Sequence, residues 1–147
     1  MTFLIAAAAA VATCSYIGDS IAVGLESVDK PCEVHAKVGA SSEYIVKNYK
    51  GKDKEEYTVV SVGSNDPTNP RLYQNAVTLR NSFHQAQLII WVLPRNRTAA
   101  AVIKRVALHY KDNWVDLNRF SSKDNIHPNS YRAVKKDIEE GINYYYD

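Results

Sequence analysis

Several features that would assign a protein to a class at once are missing from this sequence. Its 147 residues carry a formal net charge of only +2 and no long basic run, so nothing in its charge favours nucleic-acid binding. Its two cysteines and four histidines show none of the spacings of a zinc site, so we expect no metal and no other cofactor. No apolar run reaches the roughly 20 residues that cross a bilayer, so we expect no stable membrane span.

What the sequence does contain is typical of one globular domain. Hydrophobic residues make up 46% and aromatic residues 10% of the chain, which suits a protein with a single real core. The sequence has no internal repeat, low-complexity linker or second domain, so we assign residues 13–147 to one domain. The expected partner is a small or neutral ligand, and the oligomeric state stays open.

The first residues, 1–12, allow two interpretations. They are apolar, and Ala10-Val11-Ala12 resembles a signal-peptidase site, which would make the protein secreted or periplasmic. No lysine or arginine precedes the apolar run, although signal peptides carry positive charge there. The alternative is an alanine-rich lead-in packed on a cytoplasmic domain.

The two cysteines are also open to two interpretations. Cys14 lies near the start of the first predicted strand, and Cys32 lies just before the second. If those strands are parallel neighbours, both cysteines lie at the same end of the sheet, where a disulfide is possible and export would favour it. Two buried free thiols are the alternative, which the sequence alone favours slightly.

Strand and helix patterns alternate along the chain. The alternation predicts an α/β protein, a three-layer α/β/α sandwich with a five-stranded parallel sheet in flavodoxin-like order 2-1-3-4-5. The third and fourth strands are apolar on every face, so we expect them at its centre. A first strand ends near Ile17, and the predicted strands after it are 33–38, 57–62, 87–93 and 113–117. The predicted helices are 21–28, one from Ser41 or Ser42 through Tyr49, 71–86, 98–111, and a closing helix with Pro128 in its first turn.

Polar residues follow each predicted strand, and the carboxyl ends of parallel strands meet at one edge of a sheet. Serine, glycine, asparagine, aspartate and histidine therefore converge there without any assumption about family. Such groups can supply the nucleophile, base, orienting acid and oxyanion donors of acyl transfer. The segments are Gly18-Asp19-Ser20, Gly39-Ala40-Ser41-Ser42, Gly63-Ser64-Asn65-Asp66, Pro94-Arg95-Asn96-Arg97 and Asp124-Asn125-Ile126-His127-Pro128-Asn129.

These segments resemble the four sequence blocks of the SGNH hydrolases, a branch of the GDSL esterases and lipases. Gly18-Asp19-Ser20 resembles the first block, Gly39 the second, Gly63-Ser64-Asn65-Asp66 the third and Asp124-Asn125-Ile126-His127 the last. The four blocks occur in the family's order and span about four fifths of the chain. The chain is short for the family, which implies that lid or substrate-binding insertions are absent.

The resemblance implies a role for each matched residue. Ser20 would be the nucleophile, His127 its base and Asp124 the acid that orients the imidazole. The oxyanion hole would consist of the Ser20 N–H, the Gly39 N–H and the side-chain amide of Asn65.

Other polar residues carry weaker expectations. Asp19, Arg95 and Asn129 are candidate substrate-binding residues, although a solvated loop is the alternative for Arg95. Asp66 is expected to cap a turn rather than to act in catalysis. The remaining histidines are expected to be structural, and the tyrosines at the end of the last helix are expected to pack on the sheet. These residues are His35, His84, His109, Tyr144, Tyr145 and Tyr146.

We therefore expect a serine esterase that removes a small acyl group, such as acetyl, through an acyl-enzyme. Because the chain lacks lid insertions, an open site and a hydrophilic ester, possibly on a carbohydrate, are favoured. A thioesterase or lysophospholipase is the enzymatic alternative. A module that binds glycans without catalysis on the same fold is the other.

Overall fold

The computed structural model describes residues 12–28 and 31–147, so the possible signal segment, residues 1–12, lies outside the described residues except for its last residue. Strands and helices alternate along the chain, as predicted. The strands are β1 (Cys14–Gly18), β2 (Glu33–Ala36), β3 (Tyr57–Ser61), β4 (Ile89–Leu93) and β5 (Asn113–Asp116). The helices are α1 (Ser20–Ser27), α2 (Ser42–Tyr49), α3 (Leu72–Asn81), α4 (Arg97–Tyr110) and α5 (Tyr131–Tyr146), and a 3-10 turn covers Leu117–Arg119.

The five strands form one parallel sheet in the order β2-β1-β3-β4-β5. The predicted fold class and strand order are therefore confirmed. Strands β1, β3 and β4 are buried on both faces, which explains why their sequences read as near-continuous apolar runs.

Successive strand residues point to opposite faces of the sheet and form two separate cores. Ile17, Val60 and Trp91 pack with the apolar faces of α2, α3 and α4 on one side. Tyr16 and Ile90 pack with α1 and α5 on the other side. The layers are thus helix, sheet and helix, and the carboxyl ends of all five strands share one edge.

The ends of two helices differ from the prediction. The helix predicted over 71–86 stops at Asn81, because the buried carboxylate of Asp53 accepts the N–H groups of Gln85 and Ala86 and holds them in a loop. The closing helix begins at Tyr131 with Ser130 as its N-cap, so the prediction that Pro128 lies in its first turn is wrong.

The terminal tyrosines are also placed differently from the prediction. The side chain of Tyr144 is 87% exposed, and Tyr145 and Tyr146 are about half exposed. The hydroxyl of Tyr146 donates to the carbonyl oxygen of Glu56. The last turn of α5 has therefore run past the sheet, and packing on the sheet is done by Ile138 one to two turns earlier.

Cys14 and Cys32 form a disulfide in the structure, with Cα atoms 4.8 Å apart and a separation of 18 positions in sequence. The interpretation as two free thiols is therefore wrong. The bond joins the start of β1 to the residue before β2. It therefore lies at the amino ends of the strands, opposite the polar segments at their carboxyl ends. Among the described residues, no helix has the length and apolar character needed to cross a membrane.

Candidate active site

Ser20 stands at the tight turn between β1 and α1. Gly18 has φ +146, and a Cβ at this position would overlap the carbonyl oxygen of Ser61 and lie 2.8 Å from its carbonyl carbon. Only glycine fits so close to the neighbouring strand. The chain can therefore turn within one residue, and Ser20 becomes the first residue of α1 at the carboxyl edge of the sheet.

Asp19 is the N-cap of α1 and is fully buried. Its Oδ1 accepts the N–H of Ile21 at 3.0 Å and the hydroxyl of Ser61 at 2.9 Å. Burial raises the pKa of Asp19 to about 6, although the hydrogen bonds from Ser61 and Ile21 act in the opposite direction. A carboxylate buried in this way cannot contact a substrate, so the structure gives Asp19 a capping role instead.

A continuous hydrogen-bonded chain links Ser20 to the loop before α5. The Ser20 Oγ lies 2.8 Å from His127 Nε2, and His127 Nδ1 lies 2.6 Å from Asp124 Oδ2. All three side chains are partly open to solvent. The structure therefore brings together the serine, the histidine and the aspartate that the sequence singled out.

The loop that carries His127 is held rigidly by its own polar groups. Asp124 Oδ1 accepts the N–H groups of Ile126 and His127, at 2.9 and 2.8 Å. The Ser122 hydroxyl donates to the carbonyl oxygen of His127 at 2.6 Å. Asn129 accepts the N–H of Lys123 and donates its own N–H to the Ser121 carbonyl. Asn129 thus closes this loop, which is the role the structure shows for it.

This loop strongly favours the ionised form of the Asp124 side chain. The hydrogen bond with His127 and the two backbone N–H groups hold the pKa of the Asp124 carboxyl well below its usual range. An ionised carboxylate accepts the Nδ1–H of the imidazole and leaves a lone pair on Nε2, facing Ser20. That is the tautomer that can take a proton from a serine hydroxyl.

Gly39 and Asn65 lie at the same edge of the sheet and are connected through Ala40. Gly39 is exposed, has φ +81 and lies in a turn that the Ala40 N–H closes on the Lys37 carbonyl. The Asn65 side-chain amide donates to the Ala40 carbonyl at 2.9 Å. One amide hydrogen of Asn65 thus holds the Gly39 turn.

Asp66 has a structural role, although it is not the turn cap that was expected. Its two carboxylate oxygens accept the N–H and the hydroxyl of Ser42 at 3.0 and 2.6 Å, and Asn69 donates to it at 3.0 Å. These bonds fix the start of α2 against the loop after β3. The helix itself is capped by Ser41, one of the two serines predicted for that place.

The two arginines after β4 are used within the protein. Arg95 donates to the carbonyl oxygens of Leu117 and Phe120, at 3.3 and 2.6 Å, and to Asn125 Oδ1 at 3.1 Å. Arg97 forms an ion pair with Asp116 at 2.8 Å. Arg95 therefore braces the loop before His127, and its guanidinium also borders the cleft described next.

A cleft of about 320 Å³ reaches the hydrogen-bonded chain at Asp124, its third member. Ser64 and Ile126, which line this cleft, precede Asn65 and His127 in sequence, but neither Asn65 nor His127 is among its lining residues. A second cavity, of about 220 Å³, lies away from these residues, between β5 and α5. The 320 Å³ cleft is lined by Ser64, Pro67, Pro94, Arg95, Asn96, Asp124, Asn125 and Ile126.

Three residues that shape the site carry no signal in the sequence. The sequence around Ser61 indicates only a buried strand, although the Ser61 hydroxyl donates a hydrogen bond to the Asp19 carboxylate. Ser122 reads as a loop serine, although it bonds Asp124 and His127. Tyr131 reads as one of ten tyrosines, although its ring packs on Gly24. Among the described residues, no group of histidine, cysteine and acidic side chains is placed to hold a metal ion.

Comparison with solved structures gives the fold a name. A putative lipolytic protein of the G-D-S-L family from Desulfitobacterium hafniense superposes with a TM-score of 0.53 and 15% identity, over 88% of this chain and 97% of that one. The chain has the SGNH-hydrolase fold. No family model matches the chain, and no curated protein matches it.

A second structure with the SGNH fold aligns over a smaller part of this chain. The catalytic domain of peptidoglycan O-acetyltransferase A from Streptococcus pneumoniae, solved with a methylsulfonyl adduct, has a TM-score of 0.46 and 17% identity. The match covers 68% of this chain and 62% of that domain. This chain therefore spans about three fifths of the length of that SGNH domain.

Proposed function

We propose that this protein is a serine hydrolase that cleaves carboxylic esters. The observation that carries the proposal is the chain of hydrogen bonds from Ser20 through His127 to Asp124, at 2.8 and 2.6 Å. An SGNH fold is compatible with this activity, but the fold alone does not assign it.

In the proposed reaction, Ser20 Oγ attacks the ester carbonyl carbon while His127 Nε2 takes the hydroxyl proton. The tetrahedral intermediate collapses to an acyl-enzyme as the C–O bond breaks, and His127 gives the proton to the leaving alcohol. A water molecule then repeats the sequence, with His127 as its base, and releases the acid and free Ser20. Asp124 stays ionised throughout and supports the imidazolium.

The oxyanion would be stabilised by three N–H donors. Ser20 is the first residue of α1, so its backbone N–H has no acceptor within the helix, and the helix N-terminus adds a positive field. Gly39 supplies a backbone N–H in an exposed turn, and Asn65 supplies its second amide hydrogen. Donors fixed in advance in this way act on transition-state charge more than on the ground state.

The cleft favours a short and hydrophilic ester. Its volume of about 320 Å³ is near the lower limit of ligand pockets, which run from about 300 to 1,000 Å³. Serine, asparagine and arginine side chains make up half of its lining, whereas a long acyl chain requires a continuous apolar wall. We therefore propose a small acyl group, such as acetyl, on a polar alcohol, which includes acetylated carbohydrates.

The test compares wild-type protein with Ser20→Ala on p-nitrophenyl acetate, butyrate and dodecanoate, and on acetylated xylan. We expect the wild-type rates to fall with chain length and Ser20→Ala to be inactive. Phenylmethylsulfonyl fluoride should add one sulfonyl group to Ser20, detected by mass spectrometry. A fast dodecanoate ester would favour the lysophospholipase alternative. Binding of the polysaccharide without hydrolysis or labelling would make the protein a glycan-binding module.

A further inference from the structure

Gly24 lies one helical turn after Ser20, on the same face of α1. A Cβ at this position would overlap the far end of the Tyr131 ring, with Cε2 2.5 Å away and Cε1 and Cζ closer still. The space in which any other residue would begin its side chain is thus filled by an aromatic ring. The contact is closer than any larger residue at position 24 would allow.

Tyr131 is the first residue of α5 and follows His127 by four residues. Its half-buried ring packs against the core between the sheet and helices α1 and α5. Burial, and next the negative charges of Asp19 and Asp124, raise the pKa of the Tyr131 hydroxyl, which therefore stays neutral. One side chain thus touches the helix that begins with Ser20 and belongs to the segment that carries His127.

We propose that Tyr131, through its contact with Gly24, is a positioning residue that sets the spacing between Ser20 and His127. The proposal rests on the proposed esterase function for its kinetic test. The hydrogen bond between Ser20 Oγ and His127 Nε2, at 2.8 Å, joins two segments that are 107 residues apart in sequence. Its length depends on how far α1 lies from the loop before α5, and Tyr131, the first residue of α5, contacts α1 at Gly24. A displacement of about 1 Å at such a bond can lower the rate by about 10²-fold.

Two variants disturb the contact from its two sides. Gly24→Ala places a methyl group where the far end of the Tyr131 ring lies, so the ring must shift away from α1. The proposal predicts that the His127 loop shifts with it. We expect kcat to fall about 10²-fold with KM changed less than threefold. Tyr131→Leu removes the ring and should lower kcat about 10-fold. Tyr131→Phe keeps the ring and should recover most of that loss.

A matched control separates this effect from a general effect of alanine in a helix. Gly141 lies in α5, and a Cβ there would lie 3.9 Å from the nearest atom, Asn113 Nδ2. Gly141→Ala should leave kcat and KM unchanged. In the double variant Gly24→Ala/Tyr131→Leu the methyl group has room, so its kcat should not fall below that of Tyr131→Leu.

A structural measurement makes the proposal independent of turnover. In crystals of Gly24→Ala we expect the Ser20 Oγ to His127 Nε2 distance to exceed 3.5 Å, against 2.8 Å in the parent. An unchanged distance, or an unchanged kcat well below the melting temperature, would overturn the proposal. If Gly24→Ala does not fold, the kcat of Tyr131→Leu decides the question. If the wild type hydrolyses no ester and resists sulfonylation, the esterase function fails while the distance still tests the positioning role.

Discussion

Asp19 and Ser61 are joined by two hydrogen bonds that run in opposite directions. The Ser61 hydroxyl donates to Asp19 Oδ1 at 2.9 Å, and the Asp19 N–H donates to the Ser61 carbonyl at 3.2 Å. Within the described part of the chain, the buried Asp19 Oδ2 has no hydrogen-bond partner. The residue that fixes the start of α1 therefore holds a carboxylate that is only half satisfied.

Asp19 should make the protein less stable as pH rises. Burial raises its pKa from 3.8 to about 6, so its contribution is present below pH 4 and is lost as pH rises through 6. Asp19→Asn imitates the protonated acid. It should be more stable than the wild type at pH 8, by on the order of 3 kcal/mol at most, and similar at pH 4. Urea unfolding at both pH values measures this, and an equal difference at both would contradict it.

Ser20 and His127 should act as one unit. Ser20→Ala and His127→Ala should each reduce turnover of p-nitrophenyl acetate to background. The first variant has no nucleophile, and in the second no base takes the proton of Ser20. The double variant should be hardly slower than either single variant. Steady-state kinetics with matched circular dichroism spectra test this. If the rate losses of the two single variants multiply in the double variant, the two side chains do not act in the same step.

Asp124→Asn should lower kcat by up to about 10⁴-fold with little loss of stability. The amide can keep accepting the N–H groups of Ile126 and His127 through its oxygen, which leaves its NH₂ facing His127 Nδ1. That arrangement favours a proton on Nε2, where it blocks transfer from Ser20. Asp116→Asn is the control, since Asp116 pairs with Arg97 at the same edge of the sheet. Equal effects of both substitutions on kcat would refute the orienting role.

Asn65→Ala should lower kcat by about 10²–10³-fold with a smaller change in KM, because its amide would act on transition-state charge. Asn69→Ala is a suitable control, since Asn69 lies in the same loop and bonds Asp66. A loss confined to KM would show that Asn65 binds substrate rather than the oxyanion.

Replacing Cys14 and Cys32 by serine should reduce the free energy of unfolding by about 3 kcal/mol, the chain-entropy value for a loop of this size. The disulfide closes a loop that contains β1, Ser20 and α1. Urea unfolding of the wild type with and without dithiothreitol should show the same loss. If the bond is shown to be reduced and the free energy of unfolding does not change, the result contradicts this estimate.

The strand order and the convergence of the site could be predicted because both depend on patterns that are local in sequence. Apolar β-branched runs such as β3 and β4 define buried strands, and parallel strands bring the segments after them to one edge. The helix ends could not be predicted equally well. The end of α3 depends on Asp53, which lies about 30 residues away, and the start of α5 depends on bonds between Asn129, Ser121 and Lys123.

The sequence allowed the disulfide without deciding it, and it did not predict the contact between Tyr131 and Gly24, for a related reason. Each depends on a distance between segments that no spacing encodes. Cys14 and Cys32 approach only once β1 and β2 pair in register, and Tyr131 meets Gly24 only once α1 and α5 pack. Gly24 itself is a weak signal of such an approach, because glycine inside a helix has a cost that close packing can offset.

The disulfide also makes the two outer strands of the sheet unequal in how easily they can separate from it. Among the described strands, β2 and β5 are the two at the edges of the sheet, and each has four residues. Only β2 is tied covalently to its inner neighbour, so it cannot separate fully while the rest of the sheet stays folded. Backbone amides of β2 should therefore exchange with deuterium mainly when the whole protein opens, whereas those of β5 can exchange by local fraying. Under reducing conditions that difference should disappear, and β2 should become the more accessible template for unwanted strand pairing between molecules.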